Sequence, residues 1–98
     1  MKELSPKQTR HLRSLGHHLR PVVIIGSAGT TPRVLDEIEN ALAHHELIKI
    51  KIAPGDRDTR RQVALDICRS THAHLIQMIG HVATLYRPGR VPRINQTP

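Results

Sequence analysis

A chain of 98 residues is long enough for one domain, and its 10 Leu, 10 Ile and 6 Val can form a modest aliphatic core. The chain has no Phe or Trp and a single tyrosine, so it lacks the aromatic residues for a platform on which nucleic-acid bases stack. The chain has 15 Lys and Arg against 8 Asp and Glu, a net charge of +7, which predicts a polyanionic partner. The alternative is that this charge serves only solubility.

The N-terminal residues lack the apolar region of a signal peptide, and no apolar run approaches the roughly 20 residues of a membrane span. A lone cysteine, Cys68, cannot form an internal disulfide and lies on a predicted apolar helix face, which indicates inert core packing. We therefore expect a cytoplasmic protein that does not enter the membrane.

A first helix is predicted to begin at Pro6, because Ser5 and Gln8 have the spacing of a capping box and proline suits the first helical position. Leucines at helical spacing give this helix one narrow apolar stripe, and basic residues that include Lys7 and Arg10 cover the rest. We expect it to dock by its leucines.

The run Val22 to Ile25 is β-branched throughout and predicts a buried strand, which ends at the Gly-x-x-Gly loop Gly26 to Gly29. Thr31 and Pro32 then suit the N-cap and first position of a helix. The glycines allow positive φ and close approach, and free amides ahead of a helix can bind phosphate. A plain tight turn is the alternative, since the spacing fits neither a P-loop nor a dinucleotide fingerprint.

The second helix is predicted from about Pro32 to His44. Its acidic residues Asp36, Glu37 and Glu39 would repel a phosphate, so we expect them to point sideways and to leave Arg33 as the side chain nearest the loop.

Leu47 to Ile52 alternates strictly, with isoleucines on one face and Leu47, Lys49 and Lys51 on the other. One buried and one wet face predict a two-layer α/β sandwich with the helices packed on one side of the sheet.

After a break at Pro54-Gly55, Asp56 or Asp58 can cap a third helix that runs to about Thr71. Two alternating runs, 75–79 and 82–87, then predict a hairpin whose turn is Gly80-His81. The predicted order is α-β-α-β-α-β-β around a mixed four-stranded sheet. The domain spans 1–88, and 89–98 is predicted to be a flexible basic tail.

Histidine pairs raise the possibility of a metal site, but none has the spacing of a recognised zinc site, and helix-end capping explains His44 and His45. Most acidic residues lie in helix first turns, where capping explains them, so we expect no catalytic residue, metal or cofactor.

From Leu4 to Pro88 the chain resembles the YhbY-like CRM domain, an RNA-binding module named for chloroplast RNA splicing and ribosome maturation. The matching features are Ser5-Pro6-Lys7-Gln8, the strand that runs into Gly26-Ser27-Ala28-Gly29, the block from His44 to Lys51, Ile79-Gly80, and Leu85-Tyr86-Arg87-Pro88.

The resemblance implies a fold similar to the C-terminal domain of bacterial translation initiation factor three. It also implies a non-catalytic role in maturation of the large ribosomal subunit, with the Gly-x-x-Gly loop in contact with RNA. We assign RNA contact to the loop and to basic side chains around it, namely Gly26, Ser27, Ala28, Gly29, Thr30, Arg33, Lys7, Arg10, Lys49, Lys51 and Arg87.

The expected protein is thus a monomeric ribosome assembly factor that binds RNA of the large-subunit precursor. Two alternatives stay open: a small nucleotide- or phosphate-ligand-binding enzyme that uses the same loop, and a protein-interaction module whose charge is incidental. RNA held through several phosphates would dissociate steeply with added salt, and a single nucleotide far less.

Overall fold

The computed structural model describes residues 3–53 and 55–95, which form three helices and a four-stranded mixed sheet. The elements are α1 (Pro6–Gly16), β1 (Pro21–Ile25), α2 (Pro32–His45), β2 (Leu47–Ile52), α3 (Arg57–Thr71), β3 (His74–Ile79) and β4 (Val82–Tyr86). The strand order is β1-β2-β4-β3, with β1 parallel to β2 and β4 antiparallel to both of its neighbours. The predicted element order and mixed sheet are confirmed, while Pro54 of the predicted break lies outside the described residues.

Each helix begins at the cap that the sequence predicts. Ser5 Oγ accepts from the Gln8 amide at 3.1 Å, and Gln8 Oε1 accepts from the Ser5 amide at 2.8 Å, which completes the capping box. Thr31 caps α2, and Asp56 rather than Asp58 caps α3. The Thr59 amide that donates to Asp56 holds the pKa of this carboxyl below its usual range.

The main core lies between one face of the sheet and the helix pair α2 and α3. β2 contributes its three isoleucines and β4 contributes alternate residues, since side chains two apart in a strand share a face. The fully buried members from these two strands are Ile48, Ile50, Ile52, Ala83 and Leu85.

Helix α1 packs on the opposite face of the sheet. Its Leu12 is buried against Leu47, Ile76 and Tyr86, which belong to the face that the β2 pattern assigned to solvent. A Cβ on Gly16 would lie 3.3 Å from Thr84 Cγ2, so glycine lets the helix approach the sheet closely. The predicted two-layer arrangement with all helices on one face therefore needs correction, because helices cover both faces.

Helix α1 covers only part of this second face. Across the other part runs one row of paired residues, Ile24, Lys51, Val82 and Ile79, one from each strand. Ile24 is 65% exposed and Ile79 is 67% exposed. We call this row the open sheet face. The prediction that β1 is a buried strand thus holds for the side with Val23 and Ile25, but not for the side with Ile24.

The segment after β4 is attached to the domain by Glu46, a buried residue with φ +63° between α2 and β2. The Glu46 carboxylate accepts hydrogen bonds from the amides of Gly89 at 2.6 Å, Ile94 at 2.9 Å and Arg93 at 3.0 Å. Ile94 also packs against the cluster around Leu12. These contacts, which we call the Glu46 clamp, differ from the flexible tail expected over 89–98, of which 96–98 lie outside the described residues.

No helix within residues 3–53 and 55–95 is long and apolar enough to cross a membrane.

Candidate nucleic-acid interface

The Gly-x-x-Gly loop is an exposed turn at the end of β1. The Gly29 amide donates to the Gly26 carbonyl at 3.0 Å, and the Thr31 amide donates to the Gly29 carbonyl at 3.1 Å. Gly29 has φ +75°, whereas Gly26 lies outside the positive-φ region, so only the second glycine is required by the turn itself. A Cβ on either glycine would meet no other atom within 4 Å among the described residues, which shows how open the loop is.

The hydrogen bonds within the loop decide which of its amides can bind a ligand. The bonds just described occupy the amides of Gly29 and Thr31, two of the donors expected to face phosphate. In the part of the chain that the structure describes, no hydrogen bond engages the amides of Ser27, Ala28 or Thr30, and all three residues are exposed. These three amides, just ahead of the N-terminus of α2, form an anion-binding arrangement.

The charged side chains next to the loop favour an anion. The side chain of Arg33 is 91% exposed. Among the described residues its only ion pair is with Glu37, where 3.7 Å separates Arg33 Nε from Glu37 Oε1. An exposed pair of this kind contributes little, so Arg33 can exchange Glu37 for a phosphate at small cost. The expectation that the acidic residues of α2 point away from the loop holds for Glu39, whose carboxylate Arg87 holds at 2.7 Å, but not for Glu37, which lies beside Arg33.

Arg87 lies far from the loop, at the opposite end of the sheet. Its Nη1 donates to Glu39 Oε2 and, at 2.9 Å, to the Thr71 carbonyl, and its side chain is only 24% exposed. Arg87 therefore ties β4 to α2 and to the end of α3, and the geometry separates it from the other predicted contact residues.

The predicted lysines of β2 lie on the same face of the sheet as α1. Lys51 pairs with Ile24 in the register of the sheet, just before the loop, and Lys49 lies two residues further back. A groove of about 730 Å³ runs between α1 and this face, and its basic lining comes from Arg10, Arg13, His17, His18 and Lys49. Lys7 is exposed in the first turn of α1 but does not line the groove.

Three arginines absent from the predicted set lie at the loop end of the molecule: Arg57, Arg60 and Arg61. They line a second groove, of about 780 Å³, together with Asp58, Met78, Ile79 and Gly80. Arg60 donates to the carbonyls of Gly55 at 2.7 Å and Gly80 at 3.4 Å, which joins the start of α3 to the hairpin turn. The sequence could have indicated these arginines. Because β1 and β2 are parallel, the helices that follow them, α2 and α3, begin at the same end of the sheet, next to the loop.

The residues that could suggest metal or thiol chemistry have structural roles or buried positions. Asn40 O lies 2.8 Å from His44 Nδ1, a helix-end contact of the predicted kind. Within the described residues no three His, Cys, Asp or Glu side chains are grouped to hold a metal ion. Burial raises the pKa of the Cys68 thiol to about 11, so the thiolate form that reacts is scarce at neutral pH.

Comparison with known proteins places this geometry in a family. The family model of the CRS1/YhbY (CRM) domain matches residues 4–87. The chain belongs to the CRM domain family. The resemblance identified from the sequence motifs is thereby confirmed.

Relatives of the CRM chain carry names that describe RNA binding rather than catalysis. A Haemophilus influenzae protein named as an RNA-binding protein is 51% identical over 94 residues, covering 96% of this chain and 95% of the relative. A Pseudomonas aeruginosa protein named as a probable RNA-binding protein is 42% identical over 92 residues, covering 94% and 88%.

The fold is also found in a solved structure, the solution structure of a hypothetical Staphylococcus aureus protein proposed to bind RNA. It superposes with a TM-score of 0.78 at 33% identity and covers 87% of this chain and 88% of its own.

Proposed function

We propose that this CRM domain is a non-catalytic RNA-binding protein that acts as a monomer in the cytoplasm, in assembly of the large ribosomal subunit. The observation that carries the proposal is the exposed Gly-x-x-Gly turn, whose three unpaired amides and neighbouring Arg33 favour a phosphate. The RNA-binding names of the relatives support it.

In this proposal the loop binds the sugar-phosphate backbone of one RNA strand. The amides of Ser27, Ala28 and Thr30 donate to phosphate oxygens, and the N-terminus of α2 adds its positive dipole end. Lys51 and Lys49 extend the positive charge along the sheet, and Arg10 continues it on α1. Phosphate contacts of this kind position the RNA without reading its sequence.

The openness of the loop favours a polymer over a single nucleotide. A Cβ on Gly26 or Gly29 would meet no described atom within 4 Å, so no neighbouring side chain closes directly over the backbone of the loop. Small-ligand sites are usually concave and bury most of the ligand. An extended RNA strand instead gains its affinity from many contacts along the surface.

The ribosomal target is tested by crosslinking the protein to RNA in living cells and sequencing the attached fragments. The expected result is strong enrichment of large-subunit ribosomal RNA, including precursor sequences that are removed during maturation. Cells that carry the same protein with Arg33→Glu provide a matched control for nonspecific recovery. Fragments distributed in proportion to total cellular RNA would contradict the assembly role.

Substitution of the two loop glycines is expected to have different effects, on stability at Gly29 and on RNA affinity at Gly26. Gly29→Ala is expected to lower the free energy of unfolding by about 1 kcal/mol, because φ +75° is unfavourable for a residue with a Cβ. Gly26→Ala is expected to leave stability within about 0.5 kcal/mol. Its methyl group nevertheless projects into the space that a phosphate would enter, so RNA affinity should fall several-fold.

Urea unfolding and fluorescence anisotropy with labelled RNA measure these two effects. If Gly26→Ala bound RNA as the wild type does, close approach of the backbone at this glycine would be ruled out.

A further inference from the structure

The open sheet face is an apolar surface beside the Gly-x-x-Gly loop. Ile24 lies two residues before Gly26, and Ile24, Lys51, Val82 and Ile79 form one row across all four strands. At about 4.8 Å between strands, this row extends over about 14 Å. Ile79 and Val82 are neighbours in this row, and Lys51 separates them from Ile24. Several apolar side chains in one row mark an interaction surface, whereas a single exposed one such as Val91 does not.

The surroundings of the open sheet face are positive. Helix α1 and the four strands contain no acidic residue, whereas Arg10, Arg13, Lys49 and Lys51 lie on or beside this face. At the Ile79 edge, the groove along α3 has one acidic lining residue, Asp58, among three arginines. The groove between α1 and the sheet continues this surface, since Ile79 and Val82 line it together with the arginines. Charge complementarity therefore favours an anionic partner for this face.

An RNA with unpaired bases has both of the required properties. A duplex hides the apolar faces of its bases in the stack and presents phosphates, 2′-hydroxyls and base edges, so it would gain little from exposed isoleucines. An unpaired strand can place its phosphates on the basic side chains and turn the faces of its bases toward the aliphatic row. Aliphatic side chains replace here the aromatic platforms that other single-strand binders use.

We infer that the open sheet face binds unpaired bases of the RNA strand whose phosphates the Gly-x-x-Gly loop holds. This rests on the proposed RNA-binding function and specifies its substrate as single-stranded RNA. The strand follows the sheet from the loop, past Ile24 and Lys51, toward Ile79 and the groove beneath α1.

The test replaces the two exposed isoleucines with threonine, which keeps the β-branched shape that a strand favours. Ile24→Thr combined with Ile79→Thr is expected to weaken binding of a short unpaired oligouridine about tenfold, because apolar contact area is lost. Binding of a blunt-ended RNA duplex of two complementary strands should change less than about twofold. Val91→Thr is the matched control, since Val91 is 78% exposed on the segment held by the Glu46 clamp and should not alter either affinity.

A second measurement uses the wild-type protein, so it does not depend on folding of the variant. On addition of oligouridine, the methyl resonances of Ile24 and Ile79 should shift, whereas those of the buried Ile50 should stay in place. Unchanged Ile24 and Ile79 methyl groups at saturating oligouridine would overturn the inference.

The outcomes separate this inference from the proposed function. Equal binding of oligouridine by the threonine variant and the wild type overturns the inference and leaves RNA binding by the loop standing. The inference is likewise overturned if the blunt-ended duplex binds more tightly than oligouridine. If the wild type binds neither RNA at low salt, the proposed function fails together with the inference.

Discussion

Replacing Ser27 and Ala28 together with aspartate is expected to lower RNA affinity on the order of 100-fold or more, with the fold intact. Both residues are exposed in the turn and provide two of the three unpaired amides. A carboxylate a few ångströms from a phosphate opposes binding by roughly 1 to 4 kcal/mol, depending on the local dielectric. Each 1.4 kcal/mol corresponds to about tenfold in affinity.

The matched control adds the same two charges on exposed helix surfaces away from the loop. Asn40→Asp combined with Ser70→Asp changes the net charge equally, on α2 and α3, without touching the turn. This control should weaken binding only several-fold, through the long-range field. Anisotropy titrations at several salt concentrations measure the affinities, and amide spectra confirm the fold. Equal losses in the two double variants would show that net charge, and not the loop, governs binding.

Removing the Glu46 carboxylate is expected to give the largest loss of stability. Glu46→Ala leaves the amides of Gly89, Arg93 and Ile94 without their acceptor, which should lower the free energy of unfolding by about 3 kcal/mol. Glu46→Gln keeps one oxygen as an acceptor and should lose less. Urea unfolding at pH 7 measures both, with the exposed Glu37→Ala as a control expected to cost under about 0.5 kcal/mol.

The pH dependence follows from the same hydrogen bonds. Burial acts to raise the pKa of Glu46, but the amides of Gly89, Ile94 and Arg93 together outweigh it and hold the pKa below the ordinary 4.5. A carboxyl whose pKa is lower in the folded state contributes its full stability above the unfolded pKa and loses it as the pH falls through the folded pKa. The stability difference between wild type and Glu46→Gln should therefore shrink in acid.

The Glu46 clamp can also be opened from its other side. A Cβ on Gly89 would lie 2.8 Å from Glu46 Oε2, so Gly89→Ala should displace the carboxylate and reproduce part of the loss. Stability unchanged in both Gly89→Ala and Glu46→Ala would show that the segment contributes nothing to folding. RNA affinity should stay near the wild-type value in either variant, since the clamp and the loop lie at opposite ends of β2.

Features that depend on nearby residues could be predicted from the sequence. The capping box of Ser5 and Gln8, the Thr31 cap and the hairpin turn with Gly80 at φ +57° all involve residues within a few positions of one another. The Gly-x-x-Gly turn belongs to the same group. Nearby residues show that it lies between a strand and a capped helix. They do not show which of its amides are hydrogen-bonded within the turn.

Features that depend on distant contacts could not be predicted in this way. The β2 alternation has two lysines beside Leu47, so it indicates a wet face and gives no sign that Leu12 of α1 covers one end of it. In the sequence, Arg87 is one more basic residue after a strand. Its ion pair with Glu39, which lies 48 positions away, appears only in the folded chain. Glu46 binds backbone amides, which leave no pattern in the sequence.

The Glu46 clamp also fixes the position of the segment that follows β4. Gly89, Arg93 and Ile94 are held beside the start of β2, and this six-residue strand places them about 20 Å from the loop. A fluorophore attached at the exposed Val91 would therefore lie on the side remote from the Gly-x-x-Gly loop. Such a label could report on binding without obstructing it.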